Sequence, residues 1–231
     1  VQGDLEIALE RILNAPVVTE VAGRTDAGVH ALGQVMSVAD VPSDADPISV
    51  RNSVNKMCGP SISVHGAALA DDDFSARFSA RSRTYVYAIL VSDVPHPFLE
   101  TTCWRIRTEL DVDAMNEAAG HILGEHDFSS FGRTIDPEAS RVRKLFELTA
   151  EGRGNIVRIK ARGSSFIQQM VRSLAGTLVD VGMGKTDPGA LPAILGGRDR
   201  SLAGPVAPPH GLCLVSVEYD EGWSRPFDPI K

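Results

Sequence analysis

RVRKLFELTAEGRGNIVRIKARGSSFIQQMVRSLAGTLVDVG (141–182) is a strand hairpin running into a helix, and the rest of the chain repeats that grammar. Two β-rich runs, VRKLFELTA and IVRIKARG, flank the turn EGRGN, the pattern of an antiparallel hairpin. FIQQMVRSLAGTLVDVG (166–182) then places Phe166, Met170 and Leu174 on one helical face. Downstream, DPGALPAIL (187–195) reads as a shorter helix and GLCLVSVEY (211–219) as a final strand. Upstream lie a strand at 84–92, a short one at 103–107 and a helix capped by Asp111 or Asp113 and running to Leu123.

The N-terminal part has the same ingredients. Leu5, Ala8, Leu9, Ile12 and Leu13 repeat at three- and four-residue steps, so 4–13 reads as an amphipathic helix stopped by Pro16. VVTEVA (17–22), QVMSVADV (34–41) and ISVHGAALA (62–70) read as strands, and Pro47 opens a helix over 48–57. The polar run DDDFSARFSARSR (71–83) divides the two sets. The pattern predicts two α+β halves, 1–75 and 76–231, each a mainly antiparallel sheet backed by helices.

The chain has 231 residues, 43% of them hydrophobic and 23% charged, which suits packed globular domains and excludes wholesale disorder. No apolar run reaches the roughly 18–20 residues of a membrane span. VQGDLEIALERIL opens inside a helical pattern without an initiator Met or a signal-peptide profile, so further residues are expected upstream. Cys58, Cys103 and Cys213 are scattered, with no CxxC pair. That argues against a disulfide scaffold or a thiolate zinc site and fits a reducing compartment, hence the cytoplasm. His121 and His126 miss the i, i+4 spacing and no HExxH is present, so no metal is expected.

A net charge of −7 counts against a nucleic-acid partner, but its distribution does not. Residues 1–50 hold two basic against eight acidic residues, whereas residues 133–172 hold nine basic against four acidic. Arg77, Arg81 and Arg83 add cations between the halves. Such segregation can build a phosphate-binding face on an acidic protein; ordinary solvated charge is the alternative.

GRTDAGVH (23–30) is the stretch with most chemistry in it. Gly23 and Gly28 allow a tight turn or close approach of a ligand, and Asp26 between them is accessible on a loop. Arg24 nearby would keep that carboxylate ionised, as a nucleophile or base requires. A plain Asx-type turn is the alternative. An aspartic-protease reading fails because Ala27 removes the hydroxyl of D-[ST]-G and no second such loop exists. An aspartyl phosphotransferase reading fails because a cation, Arg24, stands where the second Asp of D-x-D belongs. Tyr85 and Tyr87 share one strand face and read either as core aromatics or as a base-stacking wall. Arg172 lies off the Phe166 stripe, either facing solvent or fixed as a cation for a carboxylate or phosphate.

In order, AGRTDAGVHALGQV, FSARFSARSRTYVYAI, GEHDFSSF, FIQQMVRSLAGTLVDVG and PPHGLCLVSVEY resemble the tRNA pseudouridine synthase A family over essentially the whole chain. The resemblance implies two ferredoxin-like (RRM-like) halves with a central active-site cleft. It implies an isomerase that converts uridine to pseudouridine at positions 38, 39 and 40 of the tRNA anticodon stem-loop, without cofactor or metal, as a cytoplasmic homodimer. Asp26 maps to the catalytic carboxylate. Arg24 maps to a residue contacting RNA around the flipped nucleotide, Tyr85 to the aromatic against the target base, and Arg172 to the partner of the catalytic Asp. Two departures stand out. The family's opening strand with its YDGxxFxGWQ-like segment is absent, and its N-x-x-LP is matched loosely by Asn55 to Pro60. A non-catalytic RNA-binding protein on the same scaffold is the competing reading; Asp26, which it would not need, is present. A small-molecule α+β enzyme is the third, and would show no salt-dependent RNA binding.

Overall fold

The computed structural model describes residues 1–133 and 138–220. In chain order its helices are α1 (Gln2–Leu13), α2 (Pro47–Cys58), α3 (Val112–Gly120), α4 (Met170–Gly182) and α5 (Leu191–Gly197). Its strands are β1 (Val18–Val21), β2 (His30–Ala31), β3 (Met36–Ala39), β4 (Ala80–Val91), β5 (Trp104–Ile106), β6 (Gly124–Asp127), β7 (Val142–Arg153), β8 (Ile156–Gly163) and β9 (Leu212–Tyr219). The fold is α+β with sheets that are mainly antiparallel.

The described residues form two compact units, one of Val1–Ala22 with Val35–Ser79, the other of Gly23–Gln34 with those from Ala80 to Asp220. In the first unit β1 and β3 pair antiparallel, from Val18 opposite Ala39 to Val21 opposite Met36. Asp46 caps α2, accepting from the amides of Ile48 and Ser49, and Pro47 supplies a first-turn residue that has no amide to satisfy. The strand expected at 62–70 is absent. No strand among the described residues pairs with this stretch; at Val64 the Asn55 side chain brackets the backbone instead, accepting from its amide at 2.6 Å and donating to its carbonyl at 2.8 Å.

In the second unit seven strands run in the order β2-β9-β4-β8-β7-β6, with β5 alongside the end of β4. The β7–β8 hairpin matches its sequence pattern. Cross-strand register lines up one apolar face: Leu212, Tyr87, Ile159 and Ala150 form one row, and Leu214, Tyr85, Ala161 and Leu148 the next. All eight are buried. Helix α4 buries Met170, Val171, Leu174, Ala175, Leu178 and Val179, each of the larger apolar side chains (Met, Val, Leu) so removed from water contributing about 1.5–3 kcal/mol.

Two details differ from the sequence expectation. The helix expected from 166 starts at Met170, because Gln169 adopts a left-handed conformation (φ 65°) and Arg133 donates its amide to the Gln168 carbonyl. Phe166 therefore leaves the helical stripe. Residues 23–34, read with the N-terminal half, join the second unit. His30 and Ala31 pair with Cys213 and Leu214 of β9, and the amides of Leu32 and Gly33 both donate to the Leu214 carbonyl.

Candidate active site

The GRTDAGVH loop is tied down at both ends. Gln34 donates to the Gly23 carbonyl at 2.7 Å, closing the neck. Asp26 and Val29 close a turn by a 3.0 Å backbone hydrogen bond, with Gly28 at φ 83°, a conformation that favours glycine. A Cβ on Gly33 would lie 2.3 Å from the Val215 carbonyl oxygen, so only glycine lets the loop run this close to β9. The His30 ring donates through Nε2 to the Thr101 carbonyl at 2.8 Å.

This loop delivers Asp26 to Arg172 in the first turn of α4. Arg172 Nη1 lies 2.7 Å from Asp26 Oδ2, and their side chains are only 13% and 22% exposed. Such a charge-assisted pair in a half-dry setting is stronger than a surface ion pair. Arg172 is itself held, donating Nε to the Ala207 carbonyl at 2.7 Å while its own carbonyl accepts from the Ala207 amide at 3.1 Å. One guanidinium thus spans two acceptors in fixed directions, which the flexible ammonium of a lysine does not do.

Tyr85 stands beside the pair. It is buried on β4 and meets Phe166 edge to face, with centroids 5.3 Å apart. A Cβ on Gly23 would lie 3.4 Å from its hydroxyl, so the root of the loop rests against the phenol. Burial pushes the Tyr85 phenol up to about 12; Arg83 opposes the rise and the nearby Asp26 adds to it.

Of the four residues named from the sequence, Asp26, Tyr85 and Arg172 are thus gathered. Arg24 is not. It is exposed and makes no hydrogen bond or ion pair among the described residues. The cation against Asp26 is Arg172, 146 positions away. Arg83, read as a surface cation, is 7% exposed and donates to the carbonyls of Ala80 and Ser164. Arg81 pairs with Asp220. Within the basic stretch 133–172, of which 134–137 lie outside the described residues, Arg158, Lys160 and Arg162 alternate with buried Val157, Ile159 and Ala161. They therefore occupy the sheet face opposite Tyr85, and Glu147 lies 3.0 Å from Lys160 and 3.8 Å from Arg162. Sequence reading missed Ala207, which acts through its backbone. The prolines in GPVAPPHG were the available signal of a stiff segment there.

Among the described residues no three His, Cys, Asp or Glu side chains gather to hold a metal ion, and no helix is long and apolar enough to cross a membrane.

Comparison with known proteins identifies the family. Residues 118–220 match a family model described as tRNA pseudouridine synthase. Three proteins named tRNA pseudouridine synthase A align over nearly all of the chain. That of Paraburkholderia phytofirmans is 41% identical over 226 residues, covering 98% of this chain and 83% of its own. That of Dinoroseobacter shibae is 42% identical over 234 residues, covering 99% and 90%. That of Pseudothermotoga lettingae is 40% identical over 220 residues, covering 95% and 89%. Identity of this extent over nearly the whole of both chains leaves a single assignment: the chain belongs to the tRNA pseudouridine synthase A family.

Proposed function

We propose that this chain is a tRNA pseudouridine synthase that isomerises uridine at positions 38, 39 and 40 of the anticodon stem-loop, acting in the cytoplasm as a homodimer. The observation that supports this best is the 2.7 Å pairing of Asp26 with Arg172 beside Tyr85. The reaction breaks the C1′–N1 bond of uridine, turns the detached uracil and joins its C5 to C1′. The C5 proton is lost and N1 gains one, so no atom is added overall. A stacked base has no room to turn, so the nucleotide must leave the helix first.

Asp26 is the catalytic carboxylate. Attack at C1′ and removal of the C2′ proton both need it ionised and poised. Arg172 holds it in one direction and balances its charge. Tyr85 and Phe166 give an apolar wall that keeps the uracil near the sugar, so that rejoining is effectively intramolecular. Arg24, exposed on the same loop, is placed in this reading on the RNA backbone.

The test is a uridine-containing tRNA transcript incubated with the protein, treated with carbodiimide and mapped by primer extension. Stops are expected opposite positions 38–40 where uridine occurs there. D26N should lose turnover to below about a hundredth, since acid–base catalysis alone contributes roughly 10²–10⁴-fold, while tRNA binding persists. Absence of stops with the parent protein, or D26N turning over above that level, overturns the reading. Sedimentation at micromolar concentration tests the dimer.

A further inference from the structure

The catalytic pair depends on a backbone carbonyl, and that carbonyl is held in turn. Residues 203–208 run as a strap across α4. Their closest approach is at Gly176, where a Cβ would lie 1.8 Å from the Pro205 carbonyl oxygen. The strap is pinned on either side of Ala207. At one end the Thr177 hydroxyl accepts from the Gly204 amide at 3.0 Å and donates to the Ser173 carbonyl at 2.8 Å. Arg200 forks onto the carbonyls of Ala203 and Gly204. At the other end the Tyr87 hydroxyl donates to the Pro208 carbonyl at 2.8 Å. Tyr87 is fully buried, meets Trp104 edge to face at 6.2 Å, and has Gly211 beside it, where a Cβ would lie 2.7 Å from the ring. Its hydroxyl therefore has little freedom to move.

We propose that Tyr87 and Thr177 are positioning residues for catalysis, fixing the strap so that the Ala207 carbonyl holds Arg172 Nε and aims Nη1 at Asp26. The inference rests on the reading of Asp26 and Arg172 given above. Neither Tyr87 nor Thr177 touches Asp26. If the strap shifts, Arg172 keeps its charge but loses its second anchor, and the carboxylate loses its fixed direction. A displacement of about 1 Å at a reacting group can cost on the order of a hundredfold in rate.

The experiment is a kinetic cycle on the full chain with tRNA, using Y87F, R172K and the double variant, with rates expressed per folded enzyme. R172K should lower kcat about a hundredfold. Y87F should lower kcat about tenfold or more and leave KM within about twofold, as expected when an interaction acting in the transition state is weakened. The double variant should be no slower than R172K within about twofold, because both changes remove the same alignment. Should Y87F fail to fold, T177V should lose kcat and T177S, which keeps the hydroxyl, should retain it. Y87F within twofold of the parent in kcat, a double variant whose losses multiply, or equal rates for T177V and T177S would each overturn the proposal while the pair still stands. An R172K kcat equal to the parent's would instead overturn the reading of the pair, and the proposal with it.

Discussion

Asp26 and Arg172 show what one contact asks of its surroundings. The arginine must meet a carboxylate and a carbonyl at once, both at 2.7 Å. Removing either partner strands the other in a half-desolvated place, which in buried pairs costs on the order of 3–5 kcal/mol. R172A should therefore both slow turnover more than a hundredfold and lower the urea midpoint. A variant with normal stability and normal kcat would contradict the pairing's role. Asp26 was legible in the sequence because glycines and polar groups crowd its loop. Its partner was legible only through resemblance, since no spacing rule connects residues 146 positions apart. Arg24 was misplaced by proximity in sequence: being two residues away on a turning loop did not bring its side chain to the carboxylate.

Helices and strands read well where periodicity was strong, as in the β7–β8 hairpin and α1. They read poorly where a partner decides the outcome. Residues 62–70 read as a strand yet pair with none among the described residues, and GEHD (124–127), too polar to suggest a strand, becomes β6 because β7 offers an edge. The His30–Ala31 pairing with β9 was equally invisible, being two residues long. That short element is nonetheless what seats the loop carrying Asp26, and Gly33 is its critical point. G33A would put a Cβ 2.3 Å from the backbone oxygen of Val215, which has no side-chain freedom to yield. The expected cost is that of overpacking, about 1–3 kcal/mol, seen as a lower denaturation midpoint. Loss of the Leu214 hydrogen bonds should also expose the loop to proteolysis between Gly23 and Gln34. Unchanged stability and unchanged cleavage in G33A would show that the loop is not held by β9.

The molecule as a whole carries its three tyrosines, Tyr85, Tyr87 and Tyr219, in one unit, and all are buried. Burial is the largest cause in each case: it pushes Tyr85 and Tyr219 up to about 12 and Tyr87 upward as well. The sign of the linkage follows. An unfolded chain gives up these protons near pH 10, whereas the folded chain keeps them, so the unfolded state binds fewer protons between about pH 10 and 12 and stability falls across that window. Keeping a phenol protonated from pH 10 to about 12 costs about 3 kcal/mol, enough in sum over these tyrosines to consume much of a typical domain's 5–15 kcal/mol. Absorbance of tyrosinate at 295 nm should therefore stay flat through pH 10.5 and rise only in step with the loss of far-ultraviolet circular dichroism. Replacing Tyr219 by Phe should make stability fall less steeply over pH 10–12. If a third or more of the tyrosinate signal develops near pH 10 while the circular dichroism is still native, at least one phenol is open to solvent. The dry wall assigned to Tyr85, or the closed setting of the Tyr87 pin, would then have to be abandoned according to which single Phe variant removes that early signal.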